Sequence, residues 1–189
     1  MSHIQKLNLM EDLAAHITRK RLISDSLTLK GLWVSELWRK GKKISEHYAP
    51  NDICTAGKSS LLNTFFNAAL QVTPGSWCAG LVDANGFTGY NVATDTMASH
   101  PGWVEFIGYS QTVRPAWGQG SVPSSSSSIS NAAPMVFDLT ATATVQGLFI
   151  ATVNTKGSTA GLLWSAASYT NPPACVPGDE IRSTYGLSC

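Results

Sequence analysis

The spacing of apolar positions changes twice along the chain, dividing it into a helical front, a hairpin with a second helix, and a long series of short strands. Between Asn8 and Asp25, Leu9, Leu13 and Ile17 recur every four residues with Met10 and Ala14 beside them, which places them on one stripe of a helix. Asn8 and Glu11 form a capping box, and Arg19, Lys20 and Arg21 load the last turn, where the helix dipole favours cations. The pattern predicts an N-terminal helical arm over residues 1–26, ahead of a β-rich body over 27–189. Such a stripe must be buried against its own domain or against a neighbouring subunit, and both readings are open at this level.

The next segment, Leu27 to Trp38, is rich in apolar and aromatic residues, and Lys43 to Tyr48 follows it across the turn Arg39-Lys40-Gly41-Lys42. Strand, glycine-containing turn and strand predict a β-hairpin. Its tip gathers Arg39, Lys40, Lys42 and Lys43, candidates for contact with an acidic partner surface. A helix is predicted from Ser59 to Leu70, with Leu61, Leu62, Phe65, Phe66 and Ala69 on its buried side.

After Pro74-Gly75 come short apolar runs separated by turn residues: Ser76 to Val82, ended by Asp83-Ala84-Asn85-Gly86, then Val104 to Ile107 with Tyr109, Met135 to Ala141, Val145 to Val153, Gly161 to Ser165 and Glu180 to Leu187. Between them, Gly118 to Ser130 reads as a low-complexity serine loop joining strands. Arg114-Pro115-Ala116-Trp117 has the residues to stack guanidinium on indole. The predicted fold is mainly β, an antiparallel β-sandwich or jelly-roll-like body with the N-terminal amphipathic helix and one internal helix.

Composition sharpens this division. The 189 residues carry 13 Lys and Arg against 12 Asp and Glu, and only 13% are charged, about half the usual share for a globular domain. Residues 1–60 hold 10 of the basic and 6 of the acidic residues, so the front is net positive and the remainder net negative. The remainder builds its polar surface from Ser, Thr and Gly. This balance argues against an overall basic nucleic-acid binder, and 43% hydrophobic residues argue against a disordered chain. No run approaches a membrane span, and the first twenty residues lack the apolar core of a signal peptide.

Candidate chemistry is sparse. Cys54, Cys78, Cys175 and Cys189 match neither a zinc knuckle nor a redox pair and read as reduced core or terminal thiols. His3, His16, His47 and His100 show no metal-ligand spacing, so neither a metal nor another cofactor is expected. Gly57-Lys58-Ser59 resembles the end of a phosphate loop, but the position required for its first glycine is Asp52. Asp95, His100 and a serine could be assembled into a triad, yet nothing like GxSxG marks a nucleophile; Asp95 and Asp179 read instead as turn residues bonding local amides. No enzyme activity is expected.

One set of residues points further. Gly31-Leu32-Trp33, Gly80-Leu81-Val82-Asp83, Asp95-Thr96-Met97-Ala98-Ser99-His100 with Gly102-Trp103, Arg114-Pro115-Ala116-Trp117, Gly147-Leu148-Phe149-Ile150 and Gly161-Leu162-Leu163-Trp164 together resemble a family of small tailed-bacteriophage virion structural proteins, of the capsid decoration (cement) or head-tail accessory type. The resemblance covers roughly residues 30–189, and the DTMASH-x-GW and RPAW strings are its specific part. It implies a virion protein made in the host cytoplasm, without catalytic residues, that partners the major capsid protein or another virion protein and self-associates as a trimer, with no direct contact to nucleic acid or membrane. On this reading Leu9, Leu13, Ile17, Arg19, Lys20 and Arg21, with the basic hairpin tip, form the docking side. The alternative is a tail-fibre or head-fibre module that binds a host glycan, whose candidate stacking residues are Trp103, Trp117, Tyr109 and Tyr90.

Overall fold

The computed structural model describes residues 29–122 and 125–189. The predicted helix of residues 8–24, and with it Leu9, Leu13, Ile17, Arg19, Lys20 and Arg21, lies outside the described residues.

The hairpin forms as its sequence requires. Strands β1 (Lys30–Arg39) and β2 (Lys42–Asp52) pair antiparallel around a two-residue turn. Lys40 and Gly41 both take positive φ, 50° and 73°, a turn whose twist matches that of the strands it joins. Beyond β2, helix α1 (Thr55–Phe66) and a short 3-10 turn at residues 74–76 lead into β3 (Cys78–Asp83) and β4 (Glu105–Phe106). The remaining strands are β5 (Ser128–Ser130), β6 (Met135–Asp138), β7 (Ala143–Ala151), β8 (Leu163–Ser168), β9 (Ala174–Cys175) and β10 (Asp179–Ser188).

These strands form two antiparallel sheets. In the first the order is β2-β1-β10, with β5 and β6 both paired along β10; in the second it is β4-β3-β7-β8, with β9 against the start of β7. β1 and β10 are paired along their whole length, Lys30 opposite Ser188 and Arg39 opposite Asp179. Strictly alternating burial in β1 sends Trp33 and Leu37 inward, where they meet Tyr185 and Ile181 of β10 and Leu81, Leu148 and Ile150 of the second sheet. The two-residue side-chain period of a strand thus appears directly as one face of a sandwich.

The second sheet is buried on both faces. Val145, Leu148 and Ile150 of β7 face the first sheet, whereas Phe149 and Ala151 join Val82, Leu163, Met97 and Trp103 in a smaller core on the opposite side. Val145 and Leu148 share a face despite their odd spacing because the β3–β7 register shifts at Val82/Asp83. Burial on both faces explains why β3 and β8 read as continuous apolar runs rather than alternating ones.

At one edge the sheets are joined. Ile53 bridges Ser165, and the Cys54 amide donates to the Trp164 carbonyl at 2.9 Å. This closure ends β2 and launches α1 at Thr55, four residues before the predicted start. The helix stops at Phe66, where Ala68 takes φ 53° and the Ala69 amide folds back on the Asn63 carbonyl at 3.1 Å. The serine loop also gains structure at its end: Ser128, Ile129 and Ser130 pair with Ser188, Leu187 and Gly186.

Candidate interaction surface

Three regions carry the candidate residues: the hairpin tip, the loop that holds the DTMASH string, and α1.

At the tip the four cations divide into two pairs. Arg39 sends Nε and Nη2 to the two carboxylate oxygens of Asp179, 2.6 and 2.8 Å away, and Lys43 is ion-paired with both Glu36 and Glu46. Arg182 lies over the Trp38 ring at 4.2 Å and pairs with Glu180, while the Trp38 indole donates to Glu36. The bonds from Arg39 hold the Asp179 carboxyl below the usual carboxylate range, and those from Lys43 do the same for Glu36 and Glu46. The expected basic tip is therefore a mixed-charge patch. Lys40 and Lys42 are exposed there and form no ion pair among the described residues.

The DTMASH-x-GW loop packs rather than projects. Asp95 accepts from the Asn91 amide at 2.9 Å and from the Trp103 indole at 3.0 Å, so it is the turn residue its sequence suggested, with an aromatic partner added. His100 stacks on Trp103 at 3.9 Å between centroids and bonds the Trp103 carbonyl through Nδ1. The carboxylate and the imidazole thus serve the same indole instead of each other. Trp103 plugs the outer core of the second sheet against Phe149 and is 1% exposed.

The proposed stacking rings need correction on this ground. Trp103 offers no face to a sugar. Tyr109 is also buried, edge-on to Phe137 and covered by the Lys156 ammonium at 4.3 Å. Tyr90 is wedged between Phe87 and Trp103 and donates its hydroxyl to the Ala167 carbonyl. Trp117 stands edge-on to Tyr185 with its indole bonded to the Tyr185 carbonyl. A two-layer core needs large apolar bodies, and the polar atoms of Trp103, Tyr90 and Trp117 find partners inside, whereas the Tyr109 hydroxyl is buried without one. Arg114 likewise does not stack on Trp117: its guanidinium lies 5.1 Å from the Phe149 ring and forks onto Glu105.

α1 departs most from expectation. Leu62, Phe65 and Phe66 were predicted to be buried, but they are 54%, 79% and 73% exposed, and Leu70 beyond the helix is 96% exposed. Gly57 is the residue that meets the body: a Cβ there would lie 2.8 Å from the Trp164 carbonyl and 3.0 Å from Ile53. This contact fixes the rotation of the helix. Leu61 and Thr64, on the same side as Gly57, face inward, and Leu62, Phe65 and Phe66 turn out as a ridge, with the two phenyl rings 5.2 Å apart.

Inside this ridge lies a groove of about 340 Å³ between α1 and the ends of the sheets, walled by Leu61, Trp77, Trp117, Ile129, Trp164 and Leu187. Trp77 meets Trp164 edge to face at 5.6 Å, and the Trp164 indole donates to the Tyr185 hydroxyl. Neither the ridge nor the groove was legible in the sequence as a surface. The available signal was a helix with more apolar residues than one buried stripe can use.

Among the described residues no group of three or more His, Cys, Asp or Glu side chains is placed to hold a metal ion, and no helix is long and apolar enough to cross a membrane. The three buried cysteines, Cys54, Cys78 and Cys175, and the exposed Cys189 are all free thiols. No protein-family model and no curated protein matches the sequence.

Proposed function

We propose that this chain is a structural component of a tailed-phage virion, a capsid decoration or cement protein that self-associates as a trimer and docks on the major capsid protein or another virion protein. One observation carries the reading: the apolar ridge of Leu62, Phe65 and Phe66 on α1 is left open to solvent, and Leu70 beyond the helix is exposed as well. Monomeric soluble proteins rarely expose contiguous apolar side chains of this size, and such patches mark contact surfaces. A shell accessory needs shape and apolar contact repeated over many copies, and it needs no chemistry. The sparse charge beyond residue 60 and the Ser-, Thr- and Gly-based polar surface suit an outward-facing body.

In this proposal the ridge joins copies of the chain. Lys40 and Lys42, projecting from the mixed-charge tip, together with Arg19, Lys20 and Arg21 of the N-terminal arm, supply the polar contacts to the shell. The glycan-binding alternative has three of its candidate rings, Trp103, Trp117 and Tyr109, buried in the core, and is left with the half-buried Tyr90.

The test has two arms. Sedimentation of the full chain is expected to show an oligomer that dissociates in the Phe65→Ser, Phe66→Ser double variant while the thermal midpoint stays nearly unchanged, because both side chains are exposed. On particles, quantitative mass spectrometry is expected to find a copy number commensurate with the shell subunits. A copy number matching only a fibre or tail ring assigns the alternative instead.

A further inference from the structure

We propose that copies of this chain join head to tail, the ridge of Leu62, Phe65 and Phe66 on one copy seated in the groove beside α1 of the next. The groove has room for two aromatic rings: an apolar cavity of about 150 Å³ receives one benzene, and this one measures about 340 Å³ between Leu61, Trp77, Trp117, Ile129, Trp164 and Leu187. Phe65 and Phe66 are two rings in one plug, 5.2 Å apart edge to face and 79% and 73% exposed. The ridge presents as many rings as the groove admits.

A chain cannot fill its own groove with its own ridge. Ser60, Leu61 and Thr64 line the groove, and at about 100° per residue the centre of the ridge lies roughly 140° around the helix from the centre of that trio. Gly57 holds this rotation, because its missing side chain lets α1 rest against the Trp164 carbonyl and Ile53. Turning the phenylalanines inward would break that contact. Plug and socket therefore belong to different molecules when they meet.

Symmetry and chemistry select a second copy as the occupant. A cyclic trimer has no two-fold axis, so its contact joins two different patches of the chain, and a ridge meeting a ridge builds only a dimer. The inference rests on the self-association proposed above and names the patch that receives the ridge. Composition agrees: the 24 residues from Ser59 to Val82 include no Asp, Glu, Lys, Arg or His, and none of the residues lining the groove is charged. Closing the contact desolvates no ion on either side, as at the centre of a protein interface, where charged residues are depleted and Trp and Phe enriched. At about 200 Å² per aromatic side chain, the two rings remove roughly 300 Å² from water and the walls they cover about as much again, more than a third of a standard interface. In a closed ring each copy is held through two such contacts, its ridge in one neighbour and its groove around the ridge of the other.

The test mixes two kinds of variant of the full chain in sedimentation velocity. Phe65→Ser with Phe66→Ser removes the ridge and keeps the groove; Thr64→Arg blocks the groove and keeps the ridge, and Ser60→Arg is an independent block. Each is expected to keep the native thermal midpoint and to sediment alone as a monomer. An equimolar mixture of ridge and groove variants is expected to form a one-to-one dimer of twice the monomer mass, because one intact ridge meets one intact groove, and its tryptophan emission to shift to the blue relative to either variant alone. A folded groove variant that assembles like the native chain overturns this inference and leaves the self-association standing, through ridge-on-ridge contact. A mixture that stays monomeric at concentrations where the native chain is assembled also overturns it. A native chain that is monomeric throughout removes the self-association, and this contact with it.

Discussion

Arg114 and Glu105 form a two-pronged ion pair inside the protein, Nε to Oε1 at 2.8 Å and Nη2 to Oε2 at 2.7 Å, with the two side chains 0% and 7% exposed. The pair is fully engaged. Arg114 also donates to the Val153 and Ser158 carbonyls, and Glu105 accepts from the Gly157 amide. It thereby ties β4 to the segment after β7 at a place where no strand pairing does so.

Removing one partner strands a buried charge. Arg114→Ala or Glu105→Ala is expected to lower unfolding free energy by about 3–5 kcal/mol, read as a fall in the urea midpoint. Replacing both, as Arg114→Met with Glu105→Leu, is expected to recover most of that loss. A double variant as unstable as the sum of the singles would show that the pair is not a unit.

Acid should act through Asp179. Its carboxylate takes both Arg39 bonds and the Val176 amide, and its pKa is lowered chiefly by Arg39. A folded value below the unfolded one, about 3.9, means that the stabilisation is present above the unfolded value and is lost as pH falls through the folded one. Arg39 is 40% exposed, so screening keeps the effect modest. The urea midpoint of the native chain is expected to drop on acidification below about pH 4, and Asp179→Asn to start lower at neutral pH and lose less over that window. Parallel profiles would remove Asp179 as the source.

Two glycines should resist enlargement for different reasons. A Cβ on Gly147 would lie 1.8 Å from the Ala167 carbonyl oxygen on the neighbouring strand, so Gly147→Ala must part β7 from β8 and is expected to cost about 3 kcal/mol. Gly57→Ala meets the Trp164 carbonyl and Ile53 and should lift α1 instead. Its expected signature is a smaller stability loss with a red-shifted tryptophan emission. Unchanged emission would mean that the helix seat is softer than the contacts indicate.

Thiol reactivity should follow burial. Desolvation pushes Cys54 and Cys78 up to about 11 and Cys175 up to about 12, while Cys189 is exposed. The thiolate is the reactive form, so a disulfide reagent near pH 8 is expected to label Cys189 quickly and the other three only on unfolding. Fast labelling of any of those three in the native protein would contradict their placement.

Features governed by neighbours along the chain were legible in advance. The Lys40-Gly41 turn follows from local backbone preference, and Asp95 bonds the amide of Asn91 as a turn carboxylate does. The strand runs at Met135, Val145 and Glu180 became β6, β7 and β10, although the two- and three-residue strands β9 and β5 carry too few residues to show a period. What escaped depends on distant partners. The expected basic tip is neutralised in part by Asp179, 140 residues beyond Arg39. Three of the candidate sugar-stacking rings, Trp103, Trp117 and Tyr109, are spent on the core, because composition counts aromatics without telling which layer will claim them.

The sequence by itself determined a mainly β body of two antiparallel sheets with one internal helix, because hydrophobic period and turn chemistry are local properties of a chain. Its uneven charge, too, was countable before any fold was known. The tertiary structure alone decided which face of α1 is buried. Leu61, Leu62, Phe65 and Phe66 occupy more of the helix surface than one sheet can cover, so periodicity allowed several rotations. The absence of a side chain at Gly57, seated against Trp164 and Ile53, selected the one that leaves the phenylalanines in water.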